Sequence, residues 1–158
     1  MAALASPSLR ELLCFAAGAA AAVAVIVTRR RQERKRLGKP RLLPLPTRVV
    51  ELEDGIFTID EHCGNATNGD AGLSIAVVRT RQKTQEPAQT PQFDEYIMVL
   101  EGEVLISVDG EDRPSLSASS GRTLWLPKGH RYEYFFPGPC KYVPVCLPAF
   151  HPSLTDRK

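Results

Sequence analysis

Histidine is scarce in this 158-residue chain. Only three occur, His62, His130 and His151, and they are far apart. A metal centre needs several ligands held at fixed geometry with an oriented second shell, so so thin a supply excludes a histidine-rich site. The four cysteines, Cys14, Cys63, Cys140 and Cys146, contain no Cys-x-x-Cys pair. Cys14 falls in an apolar run, and the other three cannot close into a full set of disulfides. We read them as reduced, as in a cytosol-facing domain, with a Cys63–Cys140 bridge left open. Basic residues are also scarce after the first third. Met1 to Val49 holds ten basic and two acidic side chains, and the remainder ten basic and sixteen acidic ones. An acidic body lacks the basic face that phosphate contacts need, which excludes a nucleic-acid partner.

The basic residues are concentrated in one run, and an uncharged segment stands before it. Leu12 to Thr28 reads LLCFAAGAAAAVAVIVT. As a helix it is about 25 Å long, at the short end of what spans a bilayer. RRRQERKR follows at Arg29 to Arg36 and favours retention of that flank on the cytosolic side. A secretory signal would carry its charge ahead of the apolar run, and a transit peptide would be richer in serine and poorer in acids. A buried core helix would need covering on all sides, which nothing nearby provides. The preferred reading is a single-pass signal-anchor over 12–28, behind a short tail over 1–11. It faces the body of the protein to the cytosol, in the endoplasmic reticulum or an outer organelle membrane. The collar can also meet anionic lipid headgroups, at about 1 kcal/mol per basic residue. Lys39 to Pro46, KPRLLPLP, has three prolines that forbid a regular helix and stiffen a linker. Collar and linker together fill 29–47.

After Thr47 the pattern becomes all-β. Strands are expected near Val49–Glu53, Ile56–Ile59, Leu73–Arg79, Tyr96–Leu100, Val104–Val108, Thr123–Leu126, Arg131–Phe136 and Lys141–Cys146. Asp109–Gly110 suits a tight hairpin with positive φ. Gln82–Gln92, with Pro87 and Pro91, reads as a loop crossing the mouth of a barrel.

Two stretches carry a family resemblance. FDEYIMVLEGEV, Phe93 to Val104, is similar to the first cupin motif, in which glutamate precedes glycine by seven positions, as Glu95 precedes Gly102. GRTLWLPKG, Gly121 to Gly129, is similar to the second, with Gly121, Pro127 and Gly129 in place. The resemblance covers about Val49 to Pro152. It implies a single cupin domain over 48–152, a jelly-roll-like double-stranded β-helix, preceded by the N-terminal hydrophobic helix and followed by a tail over 153–158. Glycine at these corners lets the chain turn where a Cβ would clash.

The metal-binding branch of that family carries a His-x-His pair before the glutamate and a further histidine after the second motif. Here the pair falls on Gln89 and Pro91, or on Ala88 and Thr90, and the last position on Tyr132. Only Glu95 remains, so no cofactor is expected. An alternative divalent-metal set is His62, Glu95 and His130, which requires the turn at His130 to be rebuilt. The YDE-type step and the tail CKYVPVCLPAFHP resemble the ethanolamine-utilisation type of cupin. An acid-phosphate kinase activity is associated with that type. With no phosphate-cradling glycine loop and few basic residues near the pocket, it is not carried over.

Strand alternation places Ile97 and Val99 on the inward face with Glu95, and Tyr134 and Phe136 with Tyr132. The mouth is then lined by Glu95, Gln89 or Gln92, Tyr132 and Tyr134, and suits a small polar ligand. Desolvation beside aromatic rings would raise the Glu95 carboxyl pKa and tune it as an acid or base. The plainer alternative pairs Glu95 with Arg131 or Arg122 to close the barrel end. Three functions stay open: a ligand-binding barrel at a membrane, an isomerase, lyase or oxygenase using Glu95 as base or ligand, and a structural domain pairing as a homodimer through barrel edges.

Overall fold

Short runs of β-branched and aromatic residues broken by glycine, proline and aspartate favour strands over helices, and the structure follows that bias. It is a computed structural model and describes residues 39–156. Ten strands run β1 Thr47–Leu52, β2 Phe57–Cys63, β3 Ser74–Thr80, β4 Thr84–Gln89 and β5 Asp94–Glu101, then β6 Glu103–Val108, β7 Leu116–Ser119, β8 Thr123–Leu126, β9 Tyr132–Phe136 and β10 Cys140–Leu147. They form two antiparallel sheets, one in the order β1-β2-β3-β10-β5-β8 and the other β4-β9-β6-β7. Two 3-10 turns, Glu53–Gly55 and Pro152–Leu154, complete the elements. The anchor expected over 12–28 and the basic run over 29–36 lie outside the described residues. Among the described residues no helix is long and apolar enough to cross a membrane.

Alternation sets the core. Ile97 and Val99 on β5, Val104 and Ile106 on β6, and Tyr132, Tyr134 and Phe136 on β9 are all almost fully buried. Side chains two apart share a face, so each strand sends one row between the sheets. Phe136 stacks on Tyr142 with ring centroids 5.7 Å apart and planes 15° from parallel. The inward faces expected for β5 and β9 are the inward faces found.

Two elements differ from the sequence expectation, and both are edges of the smaller sheet. Gln82–Gln92 is not a loop. Thr84–Gln89 is β4, paired with β9. Leu116–Ser119, assigned nothing from sequence, is β7 and pairs with β6. Pro87 fits in β4 because an edge strand has one side whose N–H groups need no sheet partner.

The corner glycines do different work. Gly102 turns the chain between β5 and β6 at φ +78, and a Cβ there would lie 2.2 Å from the Pro139 carbonyl oxygen. Asp109 and Gly110 form the expected tight turn, with φ 52 and 80.

Candidate functional site

The two sheets leave a cavity of about 500 Å³ between them, walled by β1, β2, β3, β10 and β5 on one side and by β4 and β9 on the other. Val78, Tyr134 and Tyr142 belong both to the core and to its lining, so the pocket continues the packed interior. Apolar wall comes from Val50, Ile59, Phe93 and Phe150. The last two meet edge to face with centroids 5.8 Å apart.

Its polar groups come as two phenol–carboxylate pairs that cross from sheet to sheet. Tyr134 on β9 donates its hydroxyl to Glu95 Oε2 on β5 at 2.7 Å. Tyr142 on β10 donates to Glu86 Oε1 on β4 at 2.9 Å. In one pair the six-stranded sheet supplies the carboxylate, and in the other it supplies the phenol. All four residues are buried, from 1% exposure at Tyr134 to 8% at Glu86. Burial, followed by the charges of Glu95 and Glu86, pushes the Tyr134 hydroxyl well above its ordinary range. Burial, then Glu86 and Glu95, does the same to Tyr142. Both phenols therefore keep their protons at neutral pH and act as donors, which holds the two carboxylates in orientation. Gln89 sits close enough to the Tyr134 hydroxyl to offset part of that rise, and it lines the same cavity.

A bulge in β4 makes this arrangement possible. Glu86 pairs with Tyr134 and Gln89 with Tyr132, so three residue steps on β4 match two on β9. Without the extra residue, Glu86 and Gln89 would face opposite sides of the sheet; with it, both are buried. The TQEPAQ sequence hides the strand, and with it Glu86.

Other expected site residues lie elsewhere. Gln92 is exposed, and its backbone N–H bonds the Leu154 carbonyl. Tyr132 is buried but turned from the cavity lining, donating to the Pro127 carbonyl at 2.7 Å, because Pro127–Gly129 folds back over that end of β9. Burial raises its hydroxyl to about 12. The alternative metal set is not assembled. His62 sits exposed on the outward side of β2, and exposed His130 is held by Asp109 Oδ2 at 2.8 Å. Among the described residues neither Arg122, which is exposed, nor Arg131, half-buried at the surface, closes the barrel end on Glu95, which turns inward to Tyr134. Where metal-binding cupins place histidines stand Gln89, an amide, and Tyr132, whose hydroxyl bonds the Pro127 carbonyl, a donor set that does not fit a metal ion.

Sequence reading missed three further lining residues. Glu61 accepts from the backbone N–H groups of Ala66 and Thr67, each at 2.8 Å, and so ties down the loop after β2. Cys146 lines the wall as a free thiol, raised first by burial and then by Glu95. Tyr142 lies two positions before Pro144 and four before Cys146, an alternation visible in KYVPVC that marks one inward row.

Compared with known families, the chain matches the ethanolamine utilisation protein EutQ over residues 27–153. The chain belongs to the EutQ family. Among curated proteins this EutQ-family chain is similar to the endoribonuclease YbeY of Myxococcus xanthus, at 39% identity over 125 residues, 78% of this chain and 39% of that protein. It is also similar to the acetate kinase EutQ of Clostridioides difficile, at 28% identity over 104 residues, 66% of this chain and 57% of that protein. The chain thus spans less than two thirds of the length of either relative. Among solved structures it resembles an RmlC-like cupin from Shewanella frigidimarina, with 16% identity, a TM-score of 0.52, and coverage of 65% of this chain and 86% of that one. That likeness shows the fold, an RmlC-like cupin barrel.

Proposed function

We propose that this EutQ-family barrel binds a small polar molecule in the cavity between its sheets. The observation that carries the reading is the pair of cross-sheet bonds, Tyr134 to Glu95 and Tyr142 to Glu86, at a cavity of about 500 Å³. That volume suits a small ligand, and a few converging polar groups on an apolar wall suit recognition of one. We further propose that residues 12–28 tether the barrel to a membrane with the basic run on the cytosolic side, on the strength of the sequence alone. Deleting residues 12–28 is expected to move the chain into the soluble fraction. Pelleting of the deleted chain with membranes would oppose it.

A phosphoryl-transfer activity like that in the name of the Clostridioides relative is not proposed. Three carboxylates, Glu61, Glu86 and Glu95, line the cavity, and among the described residues no lysine or arginine does, His151 being the one basic side chain in the lining. Phosphoanions are recognised by cations and directed N–H groups, the reverse of this lining. The second reading is an enzyme of isomerase, lyase or oxygenase type with Glu95 as its base. The 2.7 Å bond from Tyr134 favours it, because it fixes the carboxylate for proton transfer.

The test is ligand-induced stabilisation of the full chain across a panel of small amines, polyols, sugars and carboxylic acids. At least one class is expected to raise the melting temperature in the wild type and not in Glu95→Gln. No stabilisation by any class would remove the binding role.

A further inference from the structure

The lining chemistry narrows the ligand beyond "small and polar". We infer that the cavity recognises a small organic cation, an amine or guanidine with a short apolar tail. The inference rests on the reading that the cavity is a ligand site, and it adds the sign of the ligand's charge.

Two independent features of the lining converge on it. The first is the placement of acids. Glu86 and Glu95 reach the cavity from different sheets, each oriented by a phenol, so a ligand head between them meets carboxylate from both walls. Glu61 adds a third negative group, its Oε1 held by two loop amides. The second is the aromatic content. Phe93, Phe150, Tyr134 and Tyr142 all face the same space. Aromatic faces attract an organic cation through their quadrupole and have no such attraction for an anion. Carboxylates joined with aromatic rings are the combination that favours ammonium and guanidinium groups.

The buried groups around the space carry the mark of this field. After burial, the charges of Glu95 and Glu86 both raise Tyr134 and Tyr142, and Glu95 and Glu61 raise Cys146. An anion would enter against that potential, and charge–charge energies grow as the surroundings become less polar. A neutral alcohol would gain hydrogen bonds without the charge assistance. The apolar tail has its own wall in Val50, Ile59 and Val78.

The experiment is isothermal titration of the full chain with n-butylammonium, n-butanol, butyrate and inorganic phosphate at matched ionic strength. Butylammonium is expected to bind about tenfold or more tightly than butanol, consistent with the gain of a charge-assisted hydrogen bond. Butyrate and phosphate are expected to give no binding heat. Glu86→Gln and Glu95→Gln lie on different sheets, and each is expected to cut the ammonium affinity about tenfold. If one variant fails to melt cooperatively the other suffices, and the wild-type affinity must also fall with added salt. Butanol, butyrate or phosphate binding as tightly as butylammonium would overturn the charge assignment and leave the cavity standing as a ligand site. No binding by these probes together with no hit in the broader panel would remove both.

Discussion

Removing the Tyr134 hydroxyl tests the cross-sheet geometry with the least disturbance. Tyr134→Phe keeps the ring, which is 1% exposed, so packing in the core is conserved. What is lost is one donor to Glu95 Oε2 at 2.7 Å, in a carboxylate that is itself 7% exposed. Hydrogen bonds to charged groups contribute about 1.5–3 kcal/mol. For a domain of this size, a loss of about 2 kcal/mol lowers the melting temperature by roughly 8 °C or more. Urea titration of wild type, Tyr134→Phe, Glu95→Gln and the double variant gives the coupling directly. The geometry predicts a pair term of about 1–2 kcal/mol, since contacting residues fail to add. Tyr96→Phe, on the exposed outer face of β5, serves as the control and is expected to stay within about 0.5 kcal/mol. A Tyr134→Phe loss no larger than that control would refute the account of the pair.

Three further outcomes follow from the same structure. Gly102→Ala combines a positive φ with a Cβ 2.2 Å from the Pro139 carbonyl oxygen, so it is expected to destabilise by about 3 kcal/mol or more in denaturant titration, and a neutral effect would contradict the corner. The folded chain holds the Tyr132 proton up to about pH 12, and those of Tyr134 and Tyr142 well above 10, whereas the unfolded chain releases them near 10. Their contribution to stability is thus full below pH 10 and lost as pH rises through the folded values; urea stability rising above pH 10 would be inconsistent. Burial raises the Cys140 thiol to about 11 and Cys146 further, so both are expected to resist a thiol reagent at pH 8 in the native state and to label in denaturant, read by peptide mass spectrometry.

Much of the fold was legible because its central strands repeat apolar residues at period two. With Glu95 and Tyr132 set by the motif resemblance, alternation places Ile97 and Val99, and Tyr134 and Phe136, inward beside them, and the structure has all six there. The strands that escaped, Thr84–Gln89 and Leu116–Ser119, are the two edges of the smaller sheet. Edge strands are kept short, polar or proline-bearing, which blunts pairing with other chains and erases the strand pattern. Missing β4 had a consequence for the site. Glu86 could not be recognised as an inward carboxylate while its segment read as a loop, and the bulge that turns Glu86 and Gln89 to one side breaks period two. Tyr132 shows the opposite limit. Its inward face was correct, yet its hydroxyl satisfies the Pro127 carbonyl, a local contact that alternation does not encode.

The most direct test of the account is amide and side-chain NMR of the isotope-labelled chain during titration with n-butylammonium. Saturable shifts are predicted at Glu86, Gln89, Glu95, Tyr134 and Tyr142, with the outer-face residues Tyr96, Met98 and Trp125 unmoved. Shifts confined to that outer face, with the five interior residues unchanged, would contradict it.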